Sequence, residues 1–215
     1  SGHDGLYGGL GSDLLRGGGG DDSIEGGGGS DEIYGGTGND ELFGGDNNDY
    51  LSGGAGVDEI YGGDDYDLIY GGSGFDMLYG GDGPDEIYAY EVGLMDSDGS
   101  YIEGGGGFDY IEGSNGNDEI YGGEGSDIVY GLAGDDLIDG GRGFDILYGG
   151  DGDDVIYAAD GMPDNAVDGG AGWDTCYIDF DEVAWTPVDP ATNCETIWYL
   201  RIGKYVNAEV QTLIK

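Results

Sequence analysis

The stretch from Gly53 to Tyr88 reads GGAGVDEIY, GGDDYDLIY, GGSGFDMLY, GGDGPDEIY: four consecutive nine-residue units, each with two glycines first and an aspartate sixth. A period this short is the strongest constraint on the fold, because one unit cannot enclose a core and must gain stability by stacking on its neighbours. With the positions numbered 1 to 9, in-register units run from Gly8 to Tyr88 and from Gly104 to Tyr157, and a last one spans Gly169 to Tyr177. Residues Gly2 to Tyr7 already fit positions 4 to 9, so the chain reads as a processed or excised piece of something longer.

Position 6 is aspartate in every unit: Asp13, Asp22, Asp31, Asp40, Asp49, Asp58, Asp67, Asp76, Asp85, Asp109, Asp118, Asp127, Asp136, Asp145, Asp154 and Asp174. Glycines at positions 1, 2 and 4 allow the positive φ angles of a tight turn and let backbone carbonyls converge. Positions 7 to 9 form a short strand whose central residue points inward. That residue is aliphatic along the chain, from Ile24, Ile33, Leu42 and Leu51 to Val129, Ile138, Leu147 and Ile156. Two units then make an 18-residue coil with a strand on each side. The fold class is all-β, a parallel solenoid of about ten coils on the order of 45–50 Å long.

The core of such a rod is thin, and the glycine-rich backbone loses much entropy on ordering, so burial alone does not stabilise it. Composition adds a second difficulty. There are 47 acidic residues against five basic ones, a formal charge of −42, which repels itself in any compact state. Acids confined to one position in nine can be neutralised by cations placed there, and hard oxygen ligands suit calcium better than zinc or copper. Metal bound only by the folded state supplies the missing stabilisation, so folding is expected to require calcium. Nucleic acid and anionic lipid are poor partners for this surface. No apolar run is long enough to span a membrane, and no signal-peptide pattern is present.

Several places depart from the repeat. Asn47 and Asp65 replace glycine at position 4, and both residue types tolerate the left-handed region. Residues 89–103 amount to a six-residue insertion that should bulge from one turn, with Ile102 restoring the register. Within it, Asp96, Asp98 and Ser100 resemble the start of another calcium loop, although the spacing is incomplete. Residues 158–168 carry a second insertion of two residues with Met162 and Pro163 at its tip.

After Tyr177 the composition changes: glycine becomes scarce, and Trp185, Trp198, Tyr199, Val206, Val210 and Ile214 come in. Alternation from Val206 to Ile214 predicts strand, with a hairpin turning near Gly203 and Lys204. A solenoid end exposes unpaired backbone, so residues 178–215 are assigned as a C-terminal β cap following a roll domain of residues 1–177. Cys176 and Cys194 are 18 residues apart, one coil. If the register persists they lie one above the other within disulfide range; the alternative is two buried free thiols. A disulfide implies an oxidising, extracellular or periplasmic setting.

Positions 7 and 9 face out. Position 9 is repeatedly tyrosine, including Tyr34, Tyr61, Tyr70, Tyr79, Tyr88, Tyr121, Tyr130, Tyr148, Tyr157 and Tyr177. Stacked rings either brace the sheet or offer an aromatic surface to a glycan, a partner protein or another rod. Position 7 is glutamate in the first half, as at Glu32, Glu41 and Glu59, but apolar at Ile128, Leu137, Ile146 and Val155. With Tyr130 and Tyr148 these residues form a candidate interface for self-association or docking.

The unit, Gly-Gly-x-Gly-x-Asp-x-aliphatic-x over roughly four fifths of the chain, resembles the RTX or hemolysin-type calcium-binding repeat of secreted bacterial proteins. The resemblance implies a right-handed parallel β-roll in which calcium is shared between turns stacked one coil apart. It makes the sixteen aspartates metal ligands, with Asp4 at the frayed start. It also makes ligands of the backbone carbonyls at positions 2 and 4: Gly9, Gly11, Gly18, Gly20, Gly27, Gly29, Gly36, Gly38, Gly54, Gly56, Gly72 and Gly74. In the later units these are Gly81, Gly83, Gly105, Gly107, Gly123, Gly125, Gly141, Gly143, Gly150 and Gly152. About sixteen Ca²⁺ ions would leave a net charge of roughly −10, an ordinary surface value. Family members often leave the cell by one-step export, which the cysteine pair fits poorly; two-step export through an oxidising compartment fits at least as well.

Two functional classes follow. One is an extracellular calcium-loaded structural or adhesive module; the other is the non-catalytic C-terminal module of a secreted enzyme or toxin. Ice binding would want an outward threonine or asparagine ladder, which the sequence lacks. Catalysis is not expected. His3 is the only histidine and lies at the start of the chain, the serines have no histidine partner, and the carboxylates are paired by repetition.

Overall fold

The computed structural model describes residues 2–90, 97–181, 186–187 and 191–201. Among the described residues, successive strands up to Thr175–Asp181 alternate between two sheets, one of 12 strands and one of 10. Gly5–Leu10, Ser23–Gly28, Glu41–Asp46 and Glu59–Asp64 open the first sheet, while Leu14–Gly19, Glu32–Thr37, Tyr50–Ala55 and Leu68–Ser73 open the second. Through the regular units, neighbours within a sheet run parallel at an offset of 18 residues, so Leu42 lies beside Ile60 and Phe43 beside Tyr61; near the end of the described residues Phe180 and Asp181 pair antiparallel with Pro187 and Thr186. The regular units form the parallel β-solenoid expected from the repeat.

The strands are longer than three residues. Glu32–Thr37 shows why: Ile33 and Gly35 are buried while Glu32 and Thr37 are exposed. The inward face therefore continues from position 8 to the glycine at position 1, and pairing runs on through position 3. Position 8 forms an unbroken column of fully buried aliphatic side chains from Ile24 to Ile156.

The glycines divide into two kinds, not one. At positions 2 and 4 the expected positive φ is found, for example 115° at Gly36 and 124° at Gly38. Position 1 does not need it; the glycine there is required for space. A Cβ on Gly53 would lie 2.4 Å from Oδ2 of Asp58 and 2.7 Å from the carbonyl oxygen of Gly71. Asn47 and Asp65 keep their turns with φ of 75° and 80°. Leu132, at position 2, also adopts a positive φ of 81°, a conformation rarely seen in a residue of this type.

Both insertions are absorbed without loss of register. Ile102 pairs with Leu78 on one side and Ile120 on the other. Ala166–Ala171 lies beside Ile146–Asp151 at an offset of 20. The roll also continues past Tyr177, since Thr175–Asp181 pairs in parallel with Thr196–Arg201. The predicted hairpin near Gly203 and Lys204, and the alternation from Val206 to Ile214, lie outside the described residues.

Cys176 and Cys194 are disulfide-bonded with a Cα separation of 6.0 Å. The register argument for the pair fails, however. Cys176 pairs with Ile197, an offset of 21, and Ile197 packs against the core. Cys194 reaches the fully buried Cys176 from the turn before that strand.

Substitution of a position-1 glycine tests this packing. Gly53→Ala should cost about 1–3 kcal/mol through overpacking. Gly106→Ala, whose Cβ would meet nothing closer than 3.7 Å at a φ outside the left-handed region, should stay within about 0.5 kcal/mol. Thermal unfolding in saturating calcium compares the two.

Candidate metal sites

The turns between the sheets bring the position-6 aspartates into two columns, one along each edge of the roll. In one, the backbone N–H of Asp13 donates to Oδ1 of Asp31 at 2.8 Å, that of Asp31 to Asp49 at 2.7 Å, and that of Asp49 to Asp67 at 2.8 Å. The series continues through Asp85, Asp109, Asp127 and Asp145. The other column starts with Asp4 donating to Asp22 and runs through Asp40 and Asp58. Beyond the first insertion it resumes through Asp118, Asp136, Asp154 and Asp174.

Only one oxygen of each typical carboxylate is used in this way. Oδ2 of Asp22, Asp31, Asp40, Asp49, Asp58 and Asp67 is buried with no hydrogen-bond partner, as is that of Asp85, Asp109, Asp127, Asp136, Asp154 and Asp174. A buried polar atom left unpaired is costly, and an ionised one far more so. The same unpaired atom recurs along both columns.

Burial raises the carboxyl pKa values. Asp67 is pushed up to about 8, Asp85, Asp109, Asp127, Asp136 and Asp145 to about 7, and Asp49, Asp58 and Asp154 to about 6. The N–H bond from the neighbouring aspartate opposes this rise in each case. Stacked like charges add to it, as Asp49 and Asp85 do at Asp67.

Among the described residues no three His, Cys, Asp or Glu side chains converge on one point, so a cation held here needs backbone oxygens as well. The turns supply them. The carbonyl oxygen of Gly18 lies 2.4 Å from where a Cβ on Gly36 would sit, and that of Gly20 lies 2.3 Å from a Cβ on Gly38. Carboxylate and carbonyl oxygens in a glycine-lined turn fit a hard cation such as calcium.

Sequence reasoning missed two members of the columns. Asp164 receives the N–H of Asp145 at 2.9 Å, although it lies in the irregular segment 158–168. Glu195 closes the other column by accepting from the N–H of Asp174 at 3.0 Å. Both lack the flanking glycine pattern, and only the offset of the strands places them. The calcium loop envisaged at Asp96, Asp98 and Ser100 is not assembled among the described residues: Asp98 is exposed, Ser100 is buried, and Asp96 lies outside them.

Two aromatic ladders run along the outer faces. On the second sheet Tyr34, Tyr50, Tyr70, Tyr88, Tyr110, Tyr130 and Tyr148 follow one another with ring centroids 4.8–5.9 Å apart. On the first sheet Phe43, Tyr61, Tyr79, Tyr101 and Tyr121 do the same at 4.7–5.8 Å. Tyrosine hydroxyls donate to position-7 glutamates, as from Tyr34 to Glu32 at 2.9 Å and Tyr121 to Glu119 at 2.6 Å. These bonds, with burial second, push the Tyr61 and Tyr121 phenols up to about 12.

The candidate interface does not form one surface. Ile128, Ile146, Tyr130 and Tyr148 share the second sheet, but Leu137 and Val155 pair on the first. All four aliphatic residues are half-buried by their neighbours.

A parallel solenoid whose turns stack unpartnered carboxylates and glycine carbonyls belongs to the class of calcium-binding β-rolls. The model of the RTX calcium-binding nonapeptide repeat matches residues 7–42, 34–69, 70–91, 103–138 and 130–161, most of the chain, and the chain belongs to this family. Its repeats bind multiple calcium ions. None of the curated proteins compared matches it.

Protons and calcium compete for these carboxyls. The ordinary aspartate value is 3.8, so between pH 4 and about 8 the metal-free fold holds protons that the unfolded chain releases. Metal-free stability should therefore be greatest near pH 4 and fall as pH rises through 6–8. Calcium affinity should change the opposite way, strengthening from pH 5 to pH 8. Unfolding curves in EDTA and calcium titrations across this range check both signs.

Proposed function

We propose that the position-6 aspartates other than Asp118, and the carbonyls at positions 2 and 4, are the calcium ligands, and that the chain is an extracellular module whose rod is rigid when calcium is bound. The observation carrying this reading is the repeated buried Oδ2 without a partner. A single such carboxylate could stay protonated at neutral pH; a series of them along both edges, in a chain of formal charge −42, needs cations to coexist. The disulfide supports an oxidising compartment. Residues 178–215 act as the cap of the roll in this reading, and the paired strand Thr196–Arg201 is part of it.

The test is a calcium titration of EDTA-treated protein, with magnesium as control. A cooperative gain of β circular dichroism together with a smaller hydrodynamic radius is the expected outcome. A signal indifferent to calcium overturns the reading.

A second role, docking to another rod or to an attached secreted enzyme or toxin, rests on the surface of Ile128, Ile146, Tyr130 and Tyr148 on the second sheet. If the chain self-associates there, light scattering should show a multimer that Ile128→Glu with Ile146→Glu converts to monomer. An unchanged mass removes this surface from consideration.

A further inference from the structure

One column of aspartates is interrupted. In the coil that follows the insertion, the place of the position-6 aspartate is taken by Ser100, which is buried and whose N–H donates to Oδ1 of Asp118 at 2.6 Å. The N–H of Glu119 donates to the Ser100 carbonyl at 2.9 Å, as it does to the aspartate carbonyl in the equivalent position of other coils. The backbone of Ser100 thus sits in the column, but it brings no carboxylate.

The next turn is altered to match. Ser114 occupies position 2, where most units have glycine, and its φ is outside the positive region that those glycines adopt. Its N–H donates to Oδ2 of Asp118 at 2.7 Å. That is the oxygen left without a partner at Asp40, Asp58 and Asp136 in the same column. The Ser114 hydroxyl lies 2.8 Å from the Asp98 carbonyl and 3.1 and 3.2 Å from the two Asp118 oxygens. The same hydroxyl accepts from the N–H of Gly116 at 3.0 Å. The strand before this turn is also cut to Tyr110–Glu112, so position 2 is released from the sheet and can fold back on the carboxylate.

We infer that the coil joining Ser100 to Asp118 binds no calcium, and that serine and backbone hydrogen bonds do there what the cation does in the other coils. This rests on the reading of the orphaned aspartates as calcium ligands and refines it. A carboxylate with N–H donors on both oxygens is satisfied without metal. Missing carboxylate, occupied Oδ2 and the altered turn coincide at a single level. The opposite column passes this level through Asp109 and Asp127 with its Oδ2 atoms unpartnered. One edge of the roll therefore carries two separate calcium series, Asp4 to Asp76 and Asp136 onward, while the other carries a single one.

Native mass spectrometry of the full chain in saturating calcium reads the number of bound ions. Asp118→Asn should leave that number unchanged, whereas Asp58→Asn should lower it. Ser100→Asp combined with Ser114→Gly should raise it by at least one ion, which keeps the inference testable if Asp118→Asn does not fold. Loss of an ion in Asp118→Asn, or an unchanged number in the double variant, overturns the inference. An unchanged number in Asp58→Asn overturns instead the assignment of the aspartates as ligands.

Discussion

The carboxylate of each position-6 aspartate faces two demands at once. One oxygen ties adjacent coils by accepting a backbone N–H from the coil before; the other, at Asp58 and most of its equivalents, is buried against the position-1 glycine without a donor. The first interaction makes each coil depend on the next, and the second makes that dependence conditional on a cation or a proton. The narrow core follows from the same arrangement, because Asp58 Oδ2 fills the space in which a side chain at Gly53 would sit. Hydrophobic burial is concentrated in the aliphatic column of position 8, joined at position 1 by Ala89, Ala158 and Ile178.

The aromatic ladders look like a binding surface in sequence, but their geometry favours a supporting role. Tyr61 and Tyr79 stack with an interplanar angle of 7°, and Tyr130 and Tyr148 do the same. Where rings stack they turn their faces to each other and their edges to solvent, whereas sugars and cations bind ring faces; the other pairs of the two ladders are tilted by 42–48°. Arg16 illustrates the point: its guanidinium lies 4.9 Å over Tyr34, the first ring of its ladder, where a face remains open. Tyrosine at position 9 thus covers the sheet and orders the glutamates beside it.

The periodicity made most of the roll legible: two sheets, the 18-residue offset, the aliphatic column and the aspartate columns. It did not separate the glycines by cause, because crowding at position 1 and positive φ at positions 2 and 4 demand the same residue. Nor did it reach places where the backbone keeps the stack while the residue type changes. Asp164 and Glu195 hold column positions at offsets other than 18, and Ser100 precedes a strand that pairs with the coil before at an offset of 24. The disulfide shows the converse, a correct pairing reached from a register that the strands do not follow: Cys194 is one coil from Cys176 in sequence, yet Ile197 is its neighbour in the sheet.

In a stack where each coil touches only its neighbours, melting proceeds from whichever end loosens first. The bond from Cys176 to Cys194 joins the inward face of one coil to the turn that begins the next. The final described coil, which has Glu195 in place of an aspartate, is therefore tethered covalently to the coil before it. Unravelling from that side must wait for reduction or for failure elsewhere along the rod. Reduction thereby loosens one end of a fold whose other coils are joined only by strand pairing and by their aspartate columns.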